Sequence, residues 1–378
     1  MLLEHISAEK LRNLGGRIGL GPGLNILVGE NGQGKTNWLE AIFILANARS
    51  FKTAKLNEAV RFGEDLGVVR GRVRRSEEIR RELQVAIDRN IKILSVNGKR
   101  ISSSDYLGEL HAVMFNSETL QIVRGGPEER RKYLDECIAG VHPPYVRTLG
   151  DHTRVLKQRN SLLQNARDKE FSLERIAELL EPWNEQLTIL SEKIHRARIR
   201  MVERLNQNLE DDPFGSEKIF LRYASSLEGK GDLADYKALI SERLRLRVQA
   251  ELAAGYSLIG PHRDELEITA DGRELRKFGS SGQQRSAMLR LQLANIAVFQ
   301  SIHNEFPLFL LDDIDAELDY RRIGRLFEYL EGKTQTVITT SKESMVSQFG
   351  TKGAVMDVVS GRSAARHKMA ASGPSPLT

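Results

Sequence analysis

The chain has 378 residues, 40% hydrophobic and 28% charged, with a net charge of +5; this suits a globular protein of one or two lobes and excludes a mainly disordered or fibrous chain. One cysteine, Cys137, rules out an intramolecular disulfide and suits a reducing cytoplasm, while no apolar run reaches membrane-span length, so a cytoplasmic protein without a membrane partner is expected. The basic excess permits a polyanionic partner without requiring one.

Along the chain, the apolar run 24–28 reads as a short strand. It leads into Gly29-Glu30-Asn31-Gly32-Gln33-Gly34-Lys35-Thr36, which matches the phosphate-loop pattern at every fixed position, and a helical run follows from Trp38. The glycines let backbone N–H groups turn toward a phosphate, with the positive end of the helix behind them. Lys35 is expected to reach the β- and γ-phosphates of ATP, and Thr36 to ligate Mg²⁺. Alternating segments 68–74 and 79–87, with the tight-turn pair Asn97-Gly98, predict an antiparallel meander.

From Pro127 to Asp211 the period becomes helical. An early helix is expected over 145–166, and Ile176, Leu180, Trp183, Leu187, Leu190, Ile194, Ala197 and Met201 form a heptad seam. Pro182 reads as the first turn of a second long helix, and Asp211-Asp212-Pro213 as the end of this arm. Beyond it, the small polar turn Gly279-Ser280-Ser281-Gly282-Gln283 precedes a helix over 286–300, either as a cap or as an anion-binding start. Four apolar residues, 308–311, then run into Asp312 and Asp313, the first placed to hold Mg²⁺ and the second to orient an attacking water. Signature turn, long helix and carboxylate-ended strand follow in the order of an ATP-binding cassette, in which the signature completes the site of a second subunit. The fold expected is therefore α/β: an ABC-type P-loop ATPase lobe with an antiparallel β-subdomain, split over 1–120 and 250–360, with a helical arm inserted at 121–249. The Ala-, Ser- and Pro-rich stretch 361–378 reads as a disordered tail.

Together these residues resemble the RecF family, bacterial recombination-mediator ATPases related to the SMC-type ATPases. The resemblance covers nearly the whole chain. It rests on Gly29 to Asn37 with Leu39-Glu40-Ala41-Ile42, Ser50-Phe51-Lys52-Thr53, Gly126-Pro127 with Arg130-Arg131, and Arg159-Asn160; the run Gly260-Pro261-His262-Arg263-Asp264 and Ser280 with Gly282-Gln283 complete it. It implies ATP and Mg²⁺ binding, an ATP-dependent homodimer, slow hydrolysis, and binding to single-stranded and duplex DNA at gaps and junctions. It also implies work with RecR and RecO to promote RecA loading at single-strand gaps, in replication-coupled repair and the SOS response.

Two features depart from general cassette ATPases: Asp313 stands for the usual glutamate, and Thr339-Thr340-Ser341 for the switch histidine; Asn116 falls near the position of the coupling glutamine. Within the family pattern, Lys52 stands where arginine is frequent. The resemblance thus assigns Gly29, Glu30, Asn31, Gly32, Gln33, Gly34, Lys35, Thr36, Asn37, Asn116, Ser280, Gly282 and Gln283 to nucleotide binding, and Lys35, Asp312, Asp313 and Thr340 to hydrolysis. Two basic sets are candidates for DNA phosphates: Arg70, Arg72 and Arg74 on one strand face, and Lys193, Arg196, Arg200 and Arg204 on one helix stripe. The alternative is an ABC- or SMC-like ATPase subunit with another DNA- or chromosome-associated role; a rapid motor or transporter subunit fits the arm less well.

Overall fold

A computed structural model describes residues 1–89, 91–210 and 217–366. It divides into two compact units, one of residues up to Thr119 with those from Phe299 onward, the other Leu120–Val298.

In the first unit an antiparallel sheet runs in the order Leu14–Gly19, Leu2–Leu11, Leu66–Arg74, Arg80–Asp88, Ile91–Val96 and Lys99–Arg100. Asn97 and Gly98, both at positive φ (50° and 76°), make its last turn, as an Asn-Gly pair favours. A second sheet runs in the order Arg362–Ala365, Gly353–Val359, Leu24–Val28, Thr336–Thr340, Leu308–Leu311 and Ala112–Phe115. Its strands are parallel apart from the terminal hairpin. Helix Lys35–Asn47 shares one apolar core with residues of both sheets, including Leu3, Val69, Leu27, Leu310 and Val337. Eleven of its thirteen residues are buried. That explains its composition: a helix enclosed on all sides needs apolar residues all round rather than one stripe.

The second unit is built on two antiparallel helices, Tyr145–Asp168 and the 38-residue Leu173–Glu210. Seam residues Ile176, Leu180, Leu187, Ile194 and Met201 are buried to within 2%, as their heptad spacing requires. Beside them lie helices Pro127–Val141, Tyr236–Leu246 and Val248–Ala254, and a small antiparallel sheet of Ile219–Ala224, Glu265–Ala270 and Arg273–Glu274. Fully buried Arg159 ties these parts together: it donates to Asn184 (2.9 Å), Ser257 (2.7 Å) and Glu251 (2.6 Å), and Glu251 is equally buried.

Four expectations from the sequence change, and one falls outside the described residues. Pro182 does not begin a new helix but lies inside Leu173–Glu210, because the seam on both sides packs continuously and outweighs one lost backbone bond. The expected arm terminator 211–213 lies outside the described residues. The long helix near the signature starts at Ser281 rather than 286. The second unit reaches Val298 rather than 249, since strand Glu265–Ala270 pairs with Ile219–Ala224. The chain also stays regular past Gly361, where Arg362–Ala365 pairs with Gly353–Val359; the rest of the expected tail, from 367, lies outside the described residues.

Candidate nucleotide site

Parallel strands end together, so their carboxyl edge collects whatever residues follow them. Here the phosphate loop follows Leu24–Val28, Asp312 follows Leu308–Leu311, Asn116 follows Ala112–Phe115, and Thr339 and Thr340 close Thr336–Thr340. Strand Thr336–Thr340 runs between the first two, so its last side chains lie between loop and carboxylate.

The loop is held in shape by its neighbours. Gly34 has φ 103°, a left-handed conformation that favours glycine. The turn at Ser360-Gly361 braces Gln33: its Oε1 accepts from Ser360 N (2.7 Å) and its carbonyl from Gly361 N (2.8 Å). A Cβ on Gly361 would lie 2.1 Å from the carbonyl oxygen of Asn13, so only glycine fits there. Lys35 is nearly buried, and its Nζ donates to the carbonyls of Gly29 (2.7 Å) and Glu30 (2.9 Å). Its charge is therefore held within the loop itself.

Across the loop, Thr36 Oγ1 donates to Asp312 Oδ1 at 2.9 Å. Thr339 Oγ1 donates to the same oxygen at 2.6 Å and accepts from Asp313 N at 2.9 Å. Burial raises the Asp312 pKa, with the two hydroxyl bonds and Lys52 opposing that rise. A hydroxyl and a carboxylate oxygen this close are a hard-oxygen pair of the kind Mg²⁺ prefers, so the residues present fit that ion. Asp313 is exposed and left-handed (φ 45°), starting the turn Ile314–Glu317.

A second layer went unread in the sequence. Buried Glu40, on the loop's helix, accepts two bonds from Arg12 (both 2.9 Å) and one from Ser50 (2.6 Å). Ser50 Oγ in turn accepts from Lys52 N at 2.9 Å, and Lys52 Nζ donates to Asn37 Oδ1 at 2.8 Å. Asn37 also donates to Asn13 (2.8 Å). The signal was available: Glu40 is one acidic residue in an otherwise apolar helical run.

Thr339 is the other omission. Thr340, the residue singled out for hydrolysis, turns away from the carboxylates and accepts from Lys342 N at 3.0 Å. Successive strand residues face opposite sides, so only one of two consecutive threonines can meet Asp312. Asn116 is buried and accepts from Thr119 N at 2.9 Å, closing its own turn.

In the second unit, Ser280 and Gln283 cap the helix Ser281–His303 reciprocally: Ser280 N donates to Gln283 Oε1 (2.8 Å) and Gln283 N to Ser280 Oγ (3.2 Å). Gly282 lies within that turn. The two basic sets also separate. Arg70 bonds Glu9 (2.7 Å), Arg72 bonds Glu82 (2.5 Å) and Arg74 approaches Glu4 (3.4 Å), so that face is a ladder of cross-strand ion pairs and not an uncompensated positive patch. On the helix stripe Arg196 bonds Glu192 (2.7 Å). Lys193, Arg200 and Arg204 are exposed and have no carboxylate partner among the described residues.

Among known proteins, the sequence model of the RecF/RecN/SMC N terminal domain family matches residues 2–364. The DNA replication and repair protein RecF of Halothermothrix orenii is 37% identical over 356 residues, covering 90% of this chain and 92% of that protein. The protein of the same description from Bacillus mycoides is 35% identical over 335 residues, covering 84% and 86%. A solved structure of the recombination mediator protein RecF–ATP in the RecFOR pathway aligns with a TM-score of 0.87 at 30% identity, covering 96% of this chain and 97% of that one. No helix among the described residues is long and apolar enough to cross a membrane.

Proposed function

Because the chain belongs to the RecF family of DNA replication and repair proteins, we propose that it is a cytoplasmic, ATP-controlled DNA-binding switch of recombinational repair, in which slow hydrolysis resets a nucleotide-bound dimer. The observation that carries this reading is the joint placement of Lys35, Thr36, Asp312 and Thr339 at one sheet edge. Backbone N–H groups of the Gly29–Gly34 loop cradle the phosphates, and Lys35 exchanges its carbonyl partners for β- and γ-phosphate oxygens. Thr36 and Asp312 would hold Mg²⁺, which would supply charge neutralisation at those oxygens. Asp313 orients the attacking water, and its aspartate reach and the absence of a histidine at 339–341 suit slow turnover. Ser280, with the helix start behind it, meets the γ-phosphate held by a second copy of the chain. Lys193, Arg200 and Arg204 bind DNA phosphates without base reading, and RecR and RecO are the partners that connect this binding to RecA loading. An SMC-like chromosome-associated role is the second reading, favoured only by the breadth of the matching family.

Sedimentation with and without ATP tests the switch. The wild type is expected to shift from monomer to dimer with ATP. Ser280→Arg should bind ATP but stay monomeric, and Lys35→Met should lose both properties. ATP-dependent dimerisation by either variant would overturn the composite site.

A further inference from the structure

The geometry points to a track for single-stranded DNA along the helix pair of the second unit, with Trp183 as the stacking platform for one of its bases. This rests on the DNA-binding reading above and names the form of DNA that one surface takes.

Two cavities follow one another between helices Tyr145–Asp168 and Leu173–Glu210. The first, about 400 Å³, is lined by His142, Tyr145 and Thr148 on one side and Lys193, Arg196 and Arg200 on the other. The second, about 680 Å³, is lined by Arg147, Arg154 and Gln158 against Trp183, Gln186 and Ile189. The helices are antiparallel, so numbers rise on one wall as they fall on the other, and the two cavities, which share no lining residue, follow in order along a groove between the helices. From Tyr145 to Gln158 it runs roughly 20 Å at the helical rise.

The two ends of this groove differ in chemistry. Lys193, Arg196 and Arg200 concentrate charge at the first. Glu192 compensates only Arg196, so the surplus suits phosphates. Arg147 and Arg154 share one carboxylate, Asp151, at the second. There Trp183 and Ile189 add apolar surface beside Arg147, Asp151, Arg154 and two glutamines. Trp183 is half-buried, packed underneath on the cluster of Val155 and Leu187, and Ile189 beside it is 43% exposed. Gln158 and Gln186 supply amide donors and acceptors at its edge. A cationic run leading to an aromatic face with amides at its rim is how single strands are held: phosphates on the cations, a base on the ring. Duplex DNA keeps its bases stacked inside and can offer Trp183 none without flipping one out. The groove therefore discriminates between the two forms through Trp183, while its basic end serves both.

Fluorescence reads this directly, because the other tryptophan, Trp38, is fully buried in the first unit. A short oligothymidylate titrated into the full-length protein should quench Trp183, and a blunt duplex of the same length should not. Trp183→Ala should weaken oligothymidylate binding about tenfold and leave duplex binding unchanged, and Trp183→Phe should recover most of the loss. An abasic oligomer should bind wild type and Trp183→Ala alike. The track is overturned if oligothymidylate causes no quenching, or if Trp183→Ala binds it as well as wild type does. It is equally overturned if that variant loses single-strand and duplex binding together. The broader DNA reading has its own arm: it fails if Arg196→Glu with Arg200→Glu leaves both affinities intact, a result independent of Trp183.

Discussion

Thr339 holds two bonds at once, giving its proton to Asp312 and taking one from the Asp313 backbone. Thr339→Val keeps the volume and removes both. Asp312 then loses one of the two hydroxyl donors that favour its charged form, and Asp313 loses an anchor. Mg²⁺-dependent ATP hydrolysis is expected to fall about tenfold or more, with ATP affinity little changed. Thr340→Val, whose hydroxyl serves only a turn, should hydrolyse at the wild-type rate. Steady-state ATPase assays of the two variants decide this, and equal effects would refute the assignment. The placement of Lys35, Thr36 and Asp312 at one sheet edge was legible because a local pattern marks each of them. The contact of Thr339 with Asp312 was not, because it joins two strand ends 27 residues apart; Glu40 carried a signal as one acidic residue in an apolar run, but its partner Arg12 lies 28 residues away.

Helix Leu173–Glu210 holds a proline in its interior. Pro182 is exposed, has no N–H to give the Glu178 carbonyl, and carries a ring that crowds the preceding turn. Pro182→Ala is expected to stabilise the protein by about 1–3 kcal/mol in urea unfolding; no gain would mean that the surrounding packing already offsets the lost bond and the ring's crowding. Arg159 is the opposite case. Its guanidinium and Glu251 are both out of solvent, and its bonds reach the neighbouring long helix and the loop at Ser257. Arg159→Ala leaves a buried carboxylate unpaired and should cost about 3–5 kcal/mol, with Arg159→Ala/Glu251→Ala recovering part of it. The heptad spacing made the helix pair readable in advance. It could not show that one helix continues through Pro182, because local propensity and tertiary packing oppose each other there and packing has the larger surface.

At the scale of the whole molecule, buried histidines make folding sensitive to acid. Burial lowers His152 to about 3 and His262 to about 4, against about 6.5 in an unfolded chain. His262 and Arg198 add to the effect at the first; at the second Arg263 and Arg131 add to it, while Asp264 and the Ser257 carbonyl oppose it. Between pH 6.5 and about 4 the folded state binds fewer protons than the unfolded one. Their contribution is therefore complete above 6.5 and is lost as pH falls toward 4. Thermal melts across that range should fall steadily, and His262→Gln should make the decline shallower; a flat profile would show that other groups dominate. Strand, loop and helix at 24–47, the carboxylates after 308–311 and the seam from Ile176 to Met201 were determined by sequence alone, because each is a short-range pattern of residue type and spacing. Tertiary structure alone decided that Thr339 rather than Thr340 meets Asp312, that the strand arginines are spent on neighbouring glutamates, and that Trp183 lines a groove with cations at its other end. Strand register, cross-strand pairing and the packing of two helices join residues far apart in the chain, and no local window holds both partners.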